Sequence, residues 1–236
     1  MKKWIILTAF LAFVFQVNAQ TGTAYGIKGG LALANQSWNQ SEREFGFAYH
    51  GDLFLESVND SLSIAFYVAA GYHLRGSAIV VNSFFDPRTG ITFPRRRINH
   101  RFNNVAIQAG AKNFHRLKDK NIRGFYGLGL RVEYTIDYNL AYSNSEGYDL
   151  YLNRFNYGLS VLGGVEFEFK NFPGAVFLEL SFHPDVSKQI FIPPGVATYT
   201  DPVTNMVFTF SEQKVFNRTL ELTLGYKFIR RVEWID

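Results

Sequence analysis

A chain of 236 residues that is 47% hydrophobic and 19% charged has enough apolar material to fold, so extended disorder is excluded. Its net charge of +4 is small and scattered, which gives no footing for a nucleic-acid partner. Cys 0 excludes disulfides, thiol catalysis, cysteine-ligated metals and a thiol-linked lipid anchor.

The N-terminus reads as an export signal. Lys2 and Lys3 form a positive start, Trp4 to Phe15 an apolar run, and Val17-Asn18-Ala19 a small-residue cleavage site. The apolar run is shorter than the ~20 residues a membrane helix needs. Residues 1–19 are therefore expected to be a signal peptide, with the working domain over 20–236.

Beyond it the chain alternates. Weak period-two patterns run from Tyr25 to Leu33 and from Phe45 to Leu55. A clear one follows, with Ile64, Phe66, Val68, Ala70, Tyr72 and Leu74 opposed to Ala65, Tyr67, Ala69, Gly71, His73 and Arg75. Val105 to Ala111 is weaker; the segments starting at Phe125 and Phe155, and Val176 to His183, are strong. The last, "RTLELTLGYKF", sets Leu220, Leu222, Leu224, Tyr226 and Phe228 against Thr219, Glu221, Thr223, Gly225 and Lys227. That makes about eight strands, each with a greasy and a polar face.

Their connections alternate in length. A tight turn at Val58 to Ser61, a basic turn at Phe114 to Arg123 and a short turn at Lys170 to Gly174 interleave with a medium loop at Asn35 to Glu42 and long ones at Val80 to Arg97, Asn139 to Tyr151 and Gln189 to Gln213. Two long loops carry "FFDPRTGITF" and "YTDPVTNMVF", in which proline presets the turn and Gly90 or Asn205 accepts a left-handed conformation, so both read as hairpins. The pattern is that of an all-β, up-and-down antiparallel transmembrane β-barrel with both termini on the periplasmic side and a periplasmic tail over 229–236.

The polar faces decide which side is inside. Gly, Ala and Ser interleave there with single charged residues, which suits a crowded narrow lumen; bulky Leu, Phe, Tyr and Val suit a lipid-facing surface. Tyr25, Tyr126, Phe169, Tyr226 and Phe228 at one end, and Trp38, Phe47, Tyr72, Tyr138, Tyr151 and Phe155 at the other, are expected to form two interfacial girdles.

The signal ending "VNAQ" followed by "YGIKGGLALAN" resembles the small porin-family outer-membrane β-barrels of Bacteroidetes, a family that includes PorT-like proteins. The resemblance implies a Gram-negative outer-membrane location and, for PorT-like members, a place in type IX protein secretion and gliding. The C-terminus departs from the common outer-membrane pattern of a terminal aromatic residue, because Phe228 is followed by eight more residues.

Lys28, Glu44, Arg75, Arg131, Glu166, Glu179 and Lys227 are expected to form a lumen charge network, with Arg154 also crowding the lumen. Counting across the short turns puts Glu44 opposite Arg75, Glu166 opposite Glu179, and Glu179 opposite Lys227. The two carboxylates would then need Lys227 and a second cation, Lys28 or Arg131, between them. The same counting puts His50, His73 and His183 at different heights, against a shared metal site. Arg95, Arg96 and Arg97, after Pro94, offer three adjacent guanidiniums to lipopolysaccharide phosphates or to a partner.

There is no phosphate-binding glycine loop, nucleophile elbow or His-Glu-x-x-His motif, so no catalytic residue, cofactor or metal is assigned. The expected partners are outer-membrane lipid, lipopolysaccharide and another envelope or secretion protein. Three functions stay open: a structural or partner-binding barrel, a narrow porin, and a lipid-modifying enzyme. The crowded lumen weighs against the second and the missing nucleophile–base pair against the third.

Overall fold

The computed structural model describes residues 22–38, 43–58, 63–87, 89–117, 121–139, 151–169, 172, 174–195, 198–200, 207–209 and 211–231. The expected signal peptide, the turn over 59–62 and most of the loop between Asn139 and Tyr151 lie outside these residues.

In chain order the strands are β1 (Gly22–Trp38), β2 (Gly46–Val58), β3 (Ile64–Val81), β4 (Phe84–Asp86), β5 (Ile91–Phe93), β6 (Arg96–Arg116), β7 (Ile122–Asn139), β8 (Phe155–Glu168), β9 (Gly174–Pro184), β10 (Ile190–Ile192), β11 (Thr198–Thr200), β12 (Val207–Thr209) and β13 (Gln213–Arg231). Eight long strands pair antiparallel in the order β1-β2-β3-β6-β7-β8-β9-β13, and β13 pairs back onto β1. The sheet closes into an up-and-down barrel and leaves no free edge among the long strands.

The short strands extend the loop end. β4 pairs with β5 and β11 with β12, forming the two expected hairpins, while β10 pairs with the start of β13. Gly90 takes φ 69°, and its N–H donates to the Asp86 carbonyl at 2.9 Å. The ladder of β3 and β6 runs up to Val81 opposite Arg96, so the excursion between them is shorter than Val80 to Arg97. At the other end β13 continues past Phe228 to Arg231; the segment read as a tail from 229 is therefore ladder for its first three residues, paired with Gly22, Thr23 and Ala24 of β1.

The faces sort as the alternation requires. Leu31 is 69% exposed, Leu53 67%, Leu128 66% and Leu224 61%, and every long strand contributes similar residues to the outside. An apolar belt on all sides of a barrel far exceeds what a water-soluble surface tolerates, whereas it matches a hydrocarbon-facing surface. The chain is a transmembrane β-barrel.

Two details depart from the expected faces. Leu74, placed outward by alternation, is buried with Ala32, Ala34 and Ala48. The continuous β2–β3 ladder stops at His50–His73 and the next bridge, Glu44 to Ala78, is one residue out of step, so Leu74 sits at a parted seam. The aromatics at the loop end also differ. Phe47 and Phe155 are exposed there, but Trp38, Tyr138 and Tyr151 pack against a buried cluster of Phe102, Ile190 and Val215 and plug the barrel instead of girdling it. At the end with the short turns, Tyr25, Tyr126, Phe169 and Phe228 are exposed, with Tyr25 stacked on Phe228 at 5.7 Å.

Candidate functional site

Every inward strand face contributes to one filled lumen, arranged in layers. Nearest the short turns is an aromatic layer of Phe54, Tyr67, Phe125 and Phe177 with Ala69 and Leu162. Three of its rings face a glycine across the ladder: Phe54 opposite Gly26, Phe125 opposite Gly164 and Phe177 opposite Gly225. Small inward residues are what make room for rings in so narrow a barrel.

Interleaved with these rings is a chain of ion pairs. Lys28 Nζ lies 3.0 Å from Glu179, Lys112 Nζ 3.0 Å from Glu179 and 3.4 Å from Glu56. Lys227 Nζ lies 2.5 Å from Glu56 and 2.6 Å from Glu166, and Arg123 2.5 Å from Glu166 and 2.7 Å from Glu168. Four cations alternate with four carboxylates, so this layer is neutral. The Lys112 ammonium also sits over the rings of Phe125, Tyr67 and Phe177 at 4.8 to 5.3 Å.

The expected pairings need correction here. Glu166 lies opposite Phe177, and Glu179 opposite Gly164 and Thr223, so the two carboxylates are diagonal across the ladder and not directly opposed. Lys227 lies opposite Ala175 and reaches over that small residue to Glu166, while Glu179 is held by Lys28 and Lys112. Glu44 leaves the network altogether: it bridges Ala78 rather than Arg75, and its half-exposed side chain lies 3.8 Å from Arg95. Arg154 is exposed outside the lumen.

A second polar layer lies toward the loop end. Arg75 contacts Glu133 at 2.9 Å and Asp185 at 2.8 Å; Arg131 contacts Glu133 and reaches Glu221 at 3.2 Å. Asn217 donates to Asp185 and to Gln189, each at 2.8 Å, and Gln189 donates to Thr135 at 3.1 Å. The three histidines converge in this layer, contrary to the turn counting. His50 and His73 are register partners with rings stacked at 5.2 Å, and His73 and His183 each come within 3.2 Å of Glu221.

Above this layer, a cavity of about 260 Å³ follows the parted β2–β3 seam, lined by Ala48, Leu74, Arg75, Ser77 and His100 among others. Arg95, Arg96 and Arg97 sit at the loop end, all exposed. They do not form one cluster, because Arg97 turns back to the Phe45 carbonyl and Arg95 to Glu44.

Turn counting missed Asp52, Glu56, Lys112, Glu133, Asp185 and Glu221 as network members. Asp52 and Glu56 share an inward face with His50, and Lys112 shares one with Gln108, so the alternation carried that signal.

No known protein family matches the chain, and no curated protein does. Among solved structures it is similar to neisserial surface protein A, at 13% identity over 87% of this chain and 97% of that chain, with a TM-score of 0.44. It is also similar to the outer membrane protease OmpT from Escherichia coli, at 10% identity over 88% of this chain and 96% of that chain, with a TM-score of 0.40. At such identities neither likeness bears on what the chain does.

Proposed function

We propose that the chain is an exported outer-membrane barrel of structural or partner-binding type, acting through its loops and its outer surface rather than through a pore. The observation that supports this reading is the lumen. The Phe102, Ile190 and Val215 plug fills the loop end, the aromatic layer and its ion pairs fill the turn end, and the Arg75, Arg131, Glu133 and Glu221 layer occupies the space between. A solute would have to displace packed rings and break buried charge pairs, each costly in a low-dielectric interior.

Export follows from the Lys2-Lys3 start, the apolar run to Phe15 and cleavage after Ala19. The resemblance of "YGIKGGLALAN" to porin-family, PorT-like barrels of Bacteroidetes favours an accessory role in type IX-like secretion or gliding. Arg96, exposed at the head of β6, and Arg95 beside Glu44 are the contacts proposed for lipopolysaccharide phosphate or an envelope partner.

The test is fractionation followed by planar-bilayer recording. The protein should sediment with the outer membrane, shift its gel mobility on heating, and pass little or no steady current. A large reproducible single-channel conductance would put the porin reading first, and recovery as a soluble periplasmic protein would overturn the placement. Cross-linking in intact cells should then capture an envelope protein through the loop end.

A further inference from the structure

We infer that His50, His73 and Glu221 form a binding site for one divalent first-row metal ion of the zinc class inside the barrel. One ligand atom from each of the three buried residues lies within 4.8 Å of the other two. A tetrahedral zinc site holds its ligands at about 2.0–2.1 Å from the metal, so a small inward closure brings all three into bonding range.

The outer partners point the same way. His73 is bound through Nε2 to Asp52 Oδ1 at 2.7 Å, and His50 through Nε2 to Thr223 Oγ1 at 3.0 Å. Each ring is thereby fixed by its Nε2, which leaves Nδ1 to face Glu221: His73 Nδ1 lies 3.2 Å from Oε1 and His50 Nδ1 3.8 Å from Oε2. A carboxylate or hydroxyl behind an imidazole is the arrangement that orients histidine ligands on metals. His50 Nδ1 is buried and has no hydrogen-bond partner, an orphaned lone pair aimed at the carboxylate.

Charge balance favours a cation there. Glu133, Asp185 and Glu221 contact two guanidiniums in their layer, Arg75 and Arg131, and Asp52 contacts only His73, whereas the layer below is balanced. The four carboxylates of this layer thus face two guanidiniums among the described residues, and one divalent ion offsets the difference. His183 also lies 3.2 Å from Glu221 through Nε2, but both of its ring nitrogens already have serine partners, Ser160 at 2.8 Å on Nδ1 and Ser181 at 2.9 Å on Nε2. Two imidazoles and one carboxylate leave a fourth position for water.

The test uses full-length barrel extracted in detergent without a polyhistidine tag, stripped with chelator and titrated with Zn²⁺ and Co²⁺. A His100→Gln, His115→Gln background removes other histidines of the described residues that could bind weakly. The expected result is one ion per chain and a tetrahedral cobalt spectrum. His50→Gln and Glu221→Gln should abolish saturation, Asp52→Asn should weaken affinity about 10–100-fold, and His183→Gln should leave the stoichiometry at one. Should the variants fail to fold, Cu²⁺ electron spin echo on the wild type reads the same ligands, and a signal from two imidazoles is required. No saturable binding, binding unchanged in His50→Gln, or proton uptake alone without metal would overturn the site.

Discussion

Phe177 lies across Gly225, its register partner on the neighbouring strand, so closely that a Cβ built on Gly225 would stand 2.1 Å from the ring's Cζ. The ring occupies the space a side chain would need. Gly225 is thus half of a packing pair, and the same device recurs at Gly164, where a Cβ would meet Phe125 at 2.6 Å, and at Gly26, where it would meet Phe54 at 2.9 Å.

Gly225→Val should therefore force the Phe177 ring out of its position and cost about 1–3 kcal/mol or more, the usual range for overpacking. Phe177→Leu in the same background should recover part of the loss. Urea unfolding from phospholipid vesicles reads both, and a Gly225→Val midpoint equal to wild type would contradict the pairing.

Among the described residues, Lys227 is the one cation paired with both Glu56 and Glu166. Lys227→Met should destabilise the barrel by about 3–5 kcal/mol, reduced to the extent that lumen water screens the two carboxylates. Adding Glu166→Gln should restore much of the loss. Adding Glu179→Gln should restore none, since Glu179 rests on Lys28 and Lys112. Equal rescue by the two would show that the register is misplaced.

The outer belt predicts a different kind of sensitivity. Leu224→Arg puts a charge on the lipid face at mid-strand, beside Leu178, and should cost about 2–4 kcal/mol in vesicles. In detergent micelles that wrap loosely, the penalty should shrink. The same substitution without effect in vesicles would be incompatible with a membrane-spanning β13.

His100 supplies a pH signature above the membrane, where the outward residues of β6 are Arg97, Asn99 and Arg101. Burial, and then the charge of Arg43, pushes its pKa down to about 4. The unfolded chain takes up the proton first, so stability contributed by neutral His100 is present above pH ~6.5 and is lost as pH falls toward 4. Its ring lies 6.2 Å from Trp38, so in the folded barrel the Trp38 emission should drop only around pH 4, where His100 itself takes up a proton, and stay flat in His100→Gln. A drop that persists in the variant would assign the transition to another group.

Alternation alone determined the fold class and, nearly everywhere, which side chains face lipid and which face the lumen. Leu222 and Leu224 outside with Glu221 and Thr223 inside needed nothing beyond period two, because a strand in a closed membrane barrel has only those two surroundings. The exceptions, Leu74 and the Trp38, Tyr138 and Tyr151 plug, arise where the ladder parts or the strands rise beyond the apolar belt.

Height along the barrel was decided only by the tertiary structure. Turn counting placed Glu179 beside Glu166 and Lys227, whereas the ladders pair it with Gly164 and Thr223, two residues away on β8 and four on β13. An even slip keeps every side chain on its face, so no hydrophobic pattern resists it. What fixes it is closure: the stagger of eight strands must come full circle where β13 meets β1, and rings must land on glycines, as Phe177 does on Gly225. That is why the sequence determined that Lys28, Glu179 and Lys227 share a lumen, and only the closed barrel decided that Lys28 meets Glu179, Lys227 meets Glu166, and His50 meets His73.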